Sequence, residues 1–472
     1  MPRPMRRAGG VGLLAVAFAI GALCAVREPW AAQGETERLR LLRGEFYFSA
    51  GKRHVFLFGR NAAGWRQEHF EELFAWAEQD GEKLARVQLT VGIVPQGPAG
   101  AVDERWAKRW EKVFQAAGER GIYILPVFGV WADWNDGSRG EPWQRWKDNP
   151  YNQRNGGPAE QPADLLRDTP CRRMWLSWLG RLVARWSGRS NILAWEIFSE
   201  LDLVSGSNEE LAAEFVEQAA QVVRNADPAR RPITASLAGV RDWPAVFSSE
   251  AVDLVQVHPY ASGAAARGEL AELIIQAVRQ RLARYGKPVL IGECGLEASG
   301  PTGALVASSR ARVGIKHAIW ASLVSGAANG RMLWWEDGYD RFFGLDLRSR
   351  YSFAARSAVR LAATIDFAGF RPLPLRGTAE IAGAAVGNER TILAWVRDVR
   401  CAAPRWPVRH LVGQRVSICP LGKAKRWVVQ MYDTDSGALA AAASLARDGA
   451  ELVVNLPPFE DSLAVVARSA GQ

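Results

Sequence analysis

From about residue 44 to residue 365, short and largely apolar runs alternate with longer segments whose apolar residues recur at helical spacing. The short runs do not alternate polar and apolar positions, which is typical of parallel strands buried on both faces. Eight such pairs of strand and helix follow one another. Eight consecutive β/α units favour a closed barrel over an open sheet, so we predict an α/β fold of the (β/α)8 TIM-barrel class.

The same pattern gives approximate bounds for the elements. A hairpin at Gly44–Phe58, with its turn at Ala50-Gly51, runs into a first barrel strand that ends near Asn61. The later barrel strands are predicted at Leu84–Leu89, Ile122–Val127, Ile192–Phe198, Ile233–Leu237, Asp253–Val257, Val289–Gly292 and Arg331–Trp335. The helices are predicted at Glu68–Gln79, Glu104–Glu119, Arg172–Trp186, Glu209–Asn225, Leu270–Tyr285, Ala304–Ser325 and Ser352–Ile365.

After Phe370 the spacing of apolar residues changes, and Pro372 and Pro374 mark a boundary. Short alternating segments follow, separated by turn residues and without a long helical segment between them. Strands are predicted at Thr391–Val396, Arg415–Ile418, Trp427–Tyr432 and Glu451–Leu456. We therefore expect a barrel over residues 40–368 and a small antiparallel β-sandwich over residues 369–472.

The composition is globular, since 48% of the 472 residues are hydrophobic and 23% are charged. The chain is mildly basic, with 59 Lys and Arg against 50 Asp and Glu. This excess is spread along the chain without a Lys/Arg block, so we expect no nucleic-acid partner.

The first 32 residues have the features of a secretory signal. Arg3, Arg6 and Arg7 precede an apolar run from Val11 to Val26, and polar residues follow it. A basic start, a short apolar stretch and a polar exit indicate export. The cleavage site is not evident, so a retained membrane anchor stays open, and we expect a periplasmic, extracellular or outward-anchored protein.

Five cysteines and five histidines occur, without a CxxC motif or a Cys/His cluster. We therefore expect no metal site, and no cofactor is expected. Cys401 and Cys419 could form a disulfide in an oxidising compartment, whereas Cys171 and Cys294 are interpreted as buried thiols.

In a (β/α)8 barrel, functional side chains lie at the carboxyl ends of the strands. The predicted strand ends carry two carboxylates, a basic residue, a His-Tyr pair and several indoles. Carboxylate pairs carry out glycoside hydrolysis, while aromatic faces stack on sugars. The candidate residues are Asn61, Arg86, Trp131, Trp134, Glu200, His258, Tyr260, Glu293, Trp334 and Trp335.

Residues 45–365 resemble the cellulase- and mannanase-like glycoside hydrolases of family 5. The resemblance is carried by Trp195-Glu196-Ile197-Phe198-Ser199-Glu200 at the fourth strand, His258-Pro259-Tyr260 at the sixth and Ile291-Gly292-Glu293-Cys294-Gly295 at the seventh. It implies that Glu200 is the acid/base and that Glu293 is the nucleophile.

Further roles follow from the same resemblance. It implies that Tyr260 donates a hydrogen bond to Glu293, that Arg86 keeps Glu293 ionised, and that Trp334 or Trp335 forms the floor of the central sugar subsite. One position departs from the family pattern, because the Asn that precedes the acid/base and contacts the sugar 2-hydroxyl is Ser199 here. Serine is shorter and has no amide donor, which puts the usual 2-hydroxyl contact in doubt.

Several alternatives stay open at this point. Glu196 and Asp202 compete with Glu200, and Glu196 should face the same side of its strand because the spacing is even. A segment of about 40 residues after the third strand contains Trp131, Trp134, Trp143 and Trp146, and we interpret it as a wall of the substrate cleft. The C-terminal sandwich could bind carbohydrate or simply pack on the barrel.

We thus expect a monomeric retaining hydrolase that cleaves a β-linked mannan-like or glucan-like poly- or oligosaccharide. Its carboxyl groups should lie about 5–5.5 Å apart. Burial should raise the pKa of Glu200, whereas Arg86 and Tyr260 should favour the ionised form of Glu293. A transglycosylase or a catalytically silent, glycan-binding barrel on the cell surface is the alternative.

Overall fold

The computed structural model describes residues 36–62, 67–91, 95–138, 144–261, 269–298, 309–335, 348–402 and 408–470. The expected signal segment and Trp143 lie outside these ranges. Residues Glu35–Gln472 form one compact unit. Within the described ranges, no helix combines the length and the apolar character that crossing a bilayer requires.

A three-stranded antiparallel sheet precedes the barrel and contains the predicted hairpin. Its strands are β1 (Arg40–Leu41), β2 (Phe48–Ala50) and β3 (Arg53–Val55). Tyr47 and Phe56 both pack against Phe367, which follows the last barrel helix. These ring contacts attach the hairpin to the end of the barrel at which the strands begin.

The described residues contain one sheet of eight parallel strands, which confirms the predicted barrel. The strands are β4 (Leu57–Asn61), β5 (Leu84–Gln88), β6 (Tyr123–Val130), β7 (Trp195–Ser199), β8 (Ile233–Ala235), β9 (Leu254–Val257), β10 (Val289–Ile291) and β11 (Asn329–Gly330). Neighbours in chain order pair with each other from β4 to β10, and β11 pairs with β4.

The seam between β10 and β11 is closed in part by a side chain. The amide of Asn329 accepts from the backbone N–H of Ile291 and donates to its carbonyl, both over 2.9 Å, and so replaces a backbone pair. Farther along, Cys294 and Leu333 form a parallel bridge. The predicted eighth strand at Arg331–Trp335 was placed too late, because the strand is Asn329–Gly330 and Arg331 interrupts it with a φ of 69°.

Eight described helices accompany these strands. They are α1 (Gln67–Asp80), α2 (Glu104–Glu119), α3 (Pro170–Trp186), α4 (Glu209–Ala226), α5 (Pro244–Phe247), α6 (Leu270–Tyr285), α7 (Ser309–Ser325) and α8 (Arg348–Ala363). Side-chain oxygens of Asp103, Thr169 and Asn208 accept from the first free N–H groups of α2, α3 and α4. These caps explain why the helices start where they do.

The C-terminal strands form antiparallel sheets, as predicted. They are β12 (Arg371–Leu373), β13 (Leu375–Arg376), β14 (Ile381–Gly387), β15 (Thr391–Asp398), β16 (His410–Leu411), β17 (Arg415–Ile418), β18 (Arg426–Asp433), β19 (Leu439–Ala446), β20 (Leu452–Asn455), β21 (Phe459–Glu460) and β22 (Ser462–Ser469). Six of them form the sheet β12-β14-β15-β22-β18-β19, and β13-β17-β20 form a second sheet. A separate apolar core, which includes Trp427 and Val416, lies among these strands.

A buried set of charges joins the C-terminal sheets to the barrel helix α7. The ring nitrogens of His317 contact a carboxylate on each side, with Nδ1 2.8 Å from Glu269 and Nε2 bonded to Asp461. Lys316 also pairs with Asp461, and Arg397 pairs with Glu269. We call Glu269, Lys316, His317, Arg397 and Asp461 the interdomain charge cluster.

The described cysteines are all free thiols. Cys401 and Cys419 are therefore not joined, and the disulfide considered from their spacing is not formed. Cys171 and Cys294 are buried, as predicted.

Candidate active site

Arg86 lies at the centre of the polar groups inside the barrel and uses all five of its N–H groups. Nε and one N–H of Nη2 donate to the two oxygens of Glu196 over 2.7 and 2.6 Å. Nη1 donates to Oε1 of Glu293 over 2.8 Å and to Asn61 over 3.2 Å, and Nη2 also donates to Ser199 over 2.9 Å. The two carboxylates outweigh burial and raise the pKa of Arg86, so the guanidinium stays charged.

Glu196 is held beneath the site rather than in it. Its side chain is fully buried, and both oxygens are bound by Arg86. After Glu196 the side chains of β7 no longer alternate strictly between the two faces of the sheet. Ser199 reaches Arg86 inside the barrel. Phe198, which even spacing would place on the same face as Glu196, packs outward against Trp175 and Phe215. Glu196 is thus the buried counter-charge of Arg86. Glu200 lies just beyond the end of the strand, after the point at which the alternation fails.

Glu293, just after β10, is held from two sides. Arg86 binds its Oε1, and the hydroxyl of Tyr260 donates to its Oε2 over 2.6 Å. Burial raises the pKa of Glu293, while His258, Arg86 and the Tyr260 hydroxyl act in the opposite direction. The groups that the sequence predicted to favour its ionised form are in place, although burial keeps the pKa above that of a free glutamate.

Glu200 reaches the same cavity through an unusual backbone. Its φ of 60° and ψ of 57° are left-handed, which is uncommon for a residue other than glycine. The hydroxyl of Ser236 accepts from its N–H over 3.1 Å. Burial, followed by the nearby negative charge of Asp202, raises the pKa of Glu200 to about 8. Burial thus raises the pKa of both carboxyls, and a pKa of about 8 favours the protonated form of Glu200 near neutral pH.

Asp202, the other carboxylate considered in place of Glu200, is bound by groups of the protein itself. Its Oδ1 accepts from the N–H of Ala238 over 2.7 Å, and Oδ2 pairs with Arg241 at 2.7 Å. It lies close enough to Glu200 to influence its pKa but is itself buried and bonded.

One oxygen of Glu200, one of Glu293 and one ring nitrogen of His258 all lie within 4.8 Å of one another. Nδ1 of His258 is 2.8 Å from Oε1 of Glu200 and 3.7 Å from Oε2 of Glu293. Three such atoms could ligate a cation. However, the charged Arg86 lies 2.8 Å from Glu293 and would repel it, so the hydrogen bonds account for this cluster without a metal.

A buried pair of polar side chains supports His258 from behind. Nε2 of Gln256, two residues earlier on β9, lies 3.4 Å from Nε2 of His258. Burial lowers the pKa of His258, which favours the neutral imidazole. Gly292 makes room for the pair, because a Cβ there would lie 2.6 Å from both Gln256 and His258.

The arrangement therefore presents two buried glutamates across one gap at the carboxyl ends of β7 and β10. Comparison with protein families agrees with this geometry. The family of cellulases, described as glycosyl hydrolase family 5, matches residues 49–325, which is more than half of the chain. The chain belongs to glycosyl hydrolase family 5.

Solved structures of glycoside-degrading enzymes share the fold. A family 5 glycoside hydrolase from Bacteroides vulgatus aligns with a TM-score of 0.60 and 13% identity over 92% of this chain and 93% of that chain. An endo-β-1,4-mannanase from Thermotoga petrophila aligns with a TM-score of 0.51 and 13% identity, covering 88% of this chain and 98% of that chain. No curated protein sequence matches the chain.

Membership of family 5 makes the chain a glycoside hydrolase and its substrate a carbohydrate.

Two predicted site residues contribute from below the surface of the cavity. Asn61 is fully buried, and its amide nitrogen donates to the carbonyls of Gly292 and Met332, both over 3.0 Å. Ser199, in the position of the family 5 asparagine, accepts from Arg86 and keeps its hydroxyl proton for another partner.

The tryptophans predicted to line the cleft divide into two groups. Trp334 is partly exposed, whereas Trp335 is only 3% exposed, so Trp334 is the indole that offers a face. In the segment after β6, Trp134 packs against Trp146 and Tyr151 with ring centroids 5.6 and 5.4 Å apart.

These last three rings stabilise the segment itself, since all three are buried. Trp131 is partly exposed. Beside Trp134 lies a cavity of about 270 Å³, which Tyr151, Trp175 and Asp133 also line. The described part of the segment therefore borders a cavity, and Trp134 and Trp146 are packing residues within it.

The sequence interpretation did not include Gln256 or Ser236, and it named Gly292 only as part of the strand-7 motif. Gln256 could have been noticed because it precedes His258 by two residues and so shares its face of the strand. Ser236 and Gly292 carry no comparable signal, since their contacts depend on how neighbouring strands are placed.

Proposed function

We propose that this chain is a retaining β-glycosidase in which Glu293 is the nucleophile and Glu200 is the acid/base. The observation that carries the proposal is the short gap between the two carboxyls. Retaining enzymes hold these groups about 5–5.5 Å apart, whereas inverting enzymes hold them about 6.5–9.5 Å apart to accommodate a water molecule. A separation of at most 4.8 Å between one oxygen of each supports the retaining class.

In the first step, a carboxylate oxygen of Glu293 attacks the anomeric carbon while the bond to the leaving oxygen breaks. Glu200 transfers its proton to that oxygen, and a glycosyl ester of Glu293 results. Arg86 and Tyr260 hold the two oxygens of Glu293, which fixes the direction of the attack.

In the second step, a water molecule attacks the same carbon, and the ionised Glu200 takes a proton from the water. The ester bond breaks, and Glu293 leaves as a carboxylate while Glu200 is again protonated. A pKa of about 8 for Glu200 suits a group that must donate and accept the same proton near neutral pH.

We propose a mannan-like or glucan-like β-linked substrate. The cellulase description of the family and the endo-β-1,4-mannanase among the structural neighbours support this class. The partly exposed Trp334 suits stacking on a sugar ring.

Ser199 motivates the alternatives of transglycosylation or glycan binding without turnover, since it lacks the amide donor of the family motif. A panel of aryl β-glycosides and polysaccharides tests the choice. We expect hydrolysis by the wild type, loss of at least about 100-fold in Glu293→Gln, and full activity in the exposed control Glu119→Gln. Binding without turnover in the wild type would favour the silent barrel, and longer oligosaccharide products would favour the transglycosylase.

We also propose that the enzyme is exported through its first 32 residues. The basic start, the apolar stretch and the polar end of that segment support export. Cell fractionation combined with N-terminal sequencing should find the protein outside the cytoplasm, either shortened or membrane-bound. A full-length cytoplasmic protein would contradict the proposal.

A further inference from the structure

Gln256 and His258 form a buried pair that the catalytic scheme has not used. Both side chains are at most 1% exposed, and they face the same interior because they lie two residues apart on β9 and its extension. Nε2 of Gln256 approaches Nε2 of His258 at 3.4 Å, and Oε1 of Gln256 has no hydrogen-bond partner among the described residues.

The pair can be arranged in two ways, because rotating the amide by 180° exchanges its nitrogen and oxygen. With the nitrogen towards His258, one N–H is bonded, while the other N–H and the carbonyl oxygen are left over. With the oxygen towards His258, both amide hydrogens are left in the buried position that has no partner. Buried N–H groups without a partner are rarer than buried carbonyls without one, so the first arrangement is favoured.

In that arrangement Gln256 donates to Nε2 of His258. A neutral imidazole has one N–H, so the hydrogen must then be on Nδ1. Nδ1 lies 2.8 Å from Glu200 and 3.7 Å from Glu293. The negative charge of the Glu293 carboxylate attracts an N–H on Nδ1 and would repel a lone pair there. The surroundings on both sides of the ring therefore favour the same tautomer.

The consequence reaches the acid/base. An N–H from His258 makes Oε1 of Glu200 a hydrogen-bond acceptor, so the carboxyl proton has to be on Oε2. We propose that Gln256 is a positioning residue, which holds His258 as the Nδ1–H tautomer and thereby assigns the transferable proton of Glu200 to Oε2. This inference rests on the proposed function for its catalytic consequence, but the tautomer itself does not.

Nitrogen NMR of selectively ¹⁵N-histidine-labelled protein measures the tautomer without any substrate. His258 is assigned by the signal lost in His258→Phe. We expect the Nδ1–H form in the wild type and in the exposed control Gln276→Met. In Gln256→Glu, whose carboxylate can only accept, we expect the Nε2–H form. An Nε2–H signal in the wild type, or an unchanged tautomer in Gln256→Glu, would overturn the proposal.

Kinetics on two leaving groups separates positioning from a general structural role. Dinitrophenyl glycosides need little protonation of the leaving oxygen, whereas methylumbelliferyl or sugar leaving groups need more. For Gln256→Met we expect kcat/KM to fall about tenfold or more on the poor leaving groups and less than about threefold on dinitrophenyl glycosides.

Equal losses on both substrates would show a structural role for Gln256 and overturn the proposal. If Gln256→Met does not fold, Gln256→Glu, which has nearly the same size, replaces it in the kinetic measurement. A wild type with the expected tautomer but without turnover would contradict the proposed function, not the role of Gln256 in fixing His258.

Discussion

Nη1 of Arg86 donates to Oε1 of Glu293 over 2.8 Å, while the rest of the same guanidinium is bound to other groups. Both Arg86 and Glu196 are fully buried, so each compensates a charge that water cannot reach. The candidate nucleophile is therefore built on an ion pair that also belongs to the core of the barrel.

This relationship predicts a large stability effect. Arg86→Met leaves Glu196 buried and unpaired, so the free energy of unfolding should fall by about 3–5 kcal/mol in denaturant titrations. Arg86→Met combined with Glu196→Gln should recover a substantial part of that loss, because the uncompensated charge is removed. Equal stability of the single and double variants would contradict this view of the pair.

The raised pKa of Glu200 predicts the alkaline limb of activity. The acid works only when it is protonated, so kcat/KM should decline as pH rises through about 8. Asp202→Asn removes a nearby negative charge while the cation of Arg241 stays, which should move that limb to lower pH. A limb at the same pH in wild type and Asp202→Asn would assign it to another group.

Gly292 should not tolerate a methyl group. In Gly292→Ala, the new Cβ would lie 2.6 Å from both Gln256 and His258, in a buried site that cannot expand freely. We expect thermal or chemical unfolding to show a loss of about 1–3 kcal/mol. Gly188→Ala is the matched control, because a Cβ there meets nothing within 4 Å, and it should change stability by less than about 0.5 kcal/mol.

The interdomain charge cluster predicts a pH dependence of stability. Burial alone would lower the pKa of His317, but Asp461 and Glu269 outweigh it and raise the pKa above its ordinary value. A raised pKa in the folded state stabilises the protein fully below the unfolded pKa of about 6.5, and this contribution is lost as pH rises through the folded pKa.

His317→Gln removes that contribution. We therefore expect the variant to be less stable than the wild type by about 3 kcal/mol at pH 6, and by less at pH 9. Urea titrations at both pH values give the comparison. A difference that does not change with pH would mean that His317 is not charged in the folded protein.

The barrel could be predicted from sequence because its signals are local. The bounds of α2 and α6 match the predicted ones, since a strong apolar face and adjacent caps or glycines define them. The strand β11 was displaced because Asn329-Gly330 looks like a turn, whereas Asn329 uses its side chain to pair with β10. Likewise, β19 was missed because its alanine-rich sequence does not alternate in hydrophobicity.

The candidate site also contains residues that the sequence predicts and contacts that it does not predict. Glu200, Glu293, His258 and Tyr260 could be found because each ends a strand within a recognisable motif. The sharing of Arg86 between Glu196 and Glu293 depends on distances between strands that the sequence does not encode locally. Trp134 and Trp146 pack against each other, whereas Trp131 is partly exposed, so its place in the cleft wall stays a prediction. The sequence could not separate these cases, because an indole in a polar segment has the same pattern whether it faces solvent or its neighbours.

Trapping the glycosyl-enzyme tests the assignment of Glu293 most directly. The wild type is incubated with dinitrophenyl 2-deoxy-2-fluoro-β-glucoside and with the corresponding mannoside, and the labelled peptide is identified by mass spectrometry. We predict one sugar per protein, attached to Glu293. A label on Glu200, Glu196 or any other residue, or turnover of substrate with inversion at the anomeric carbon, would contradict the account.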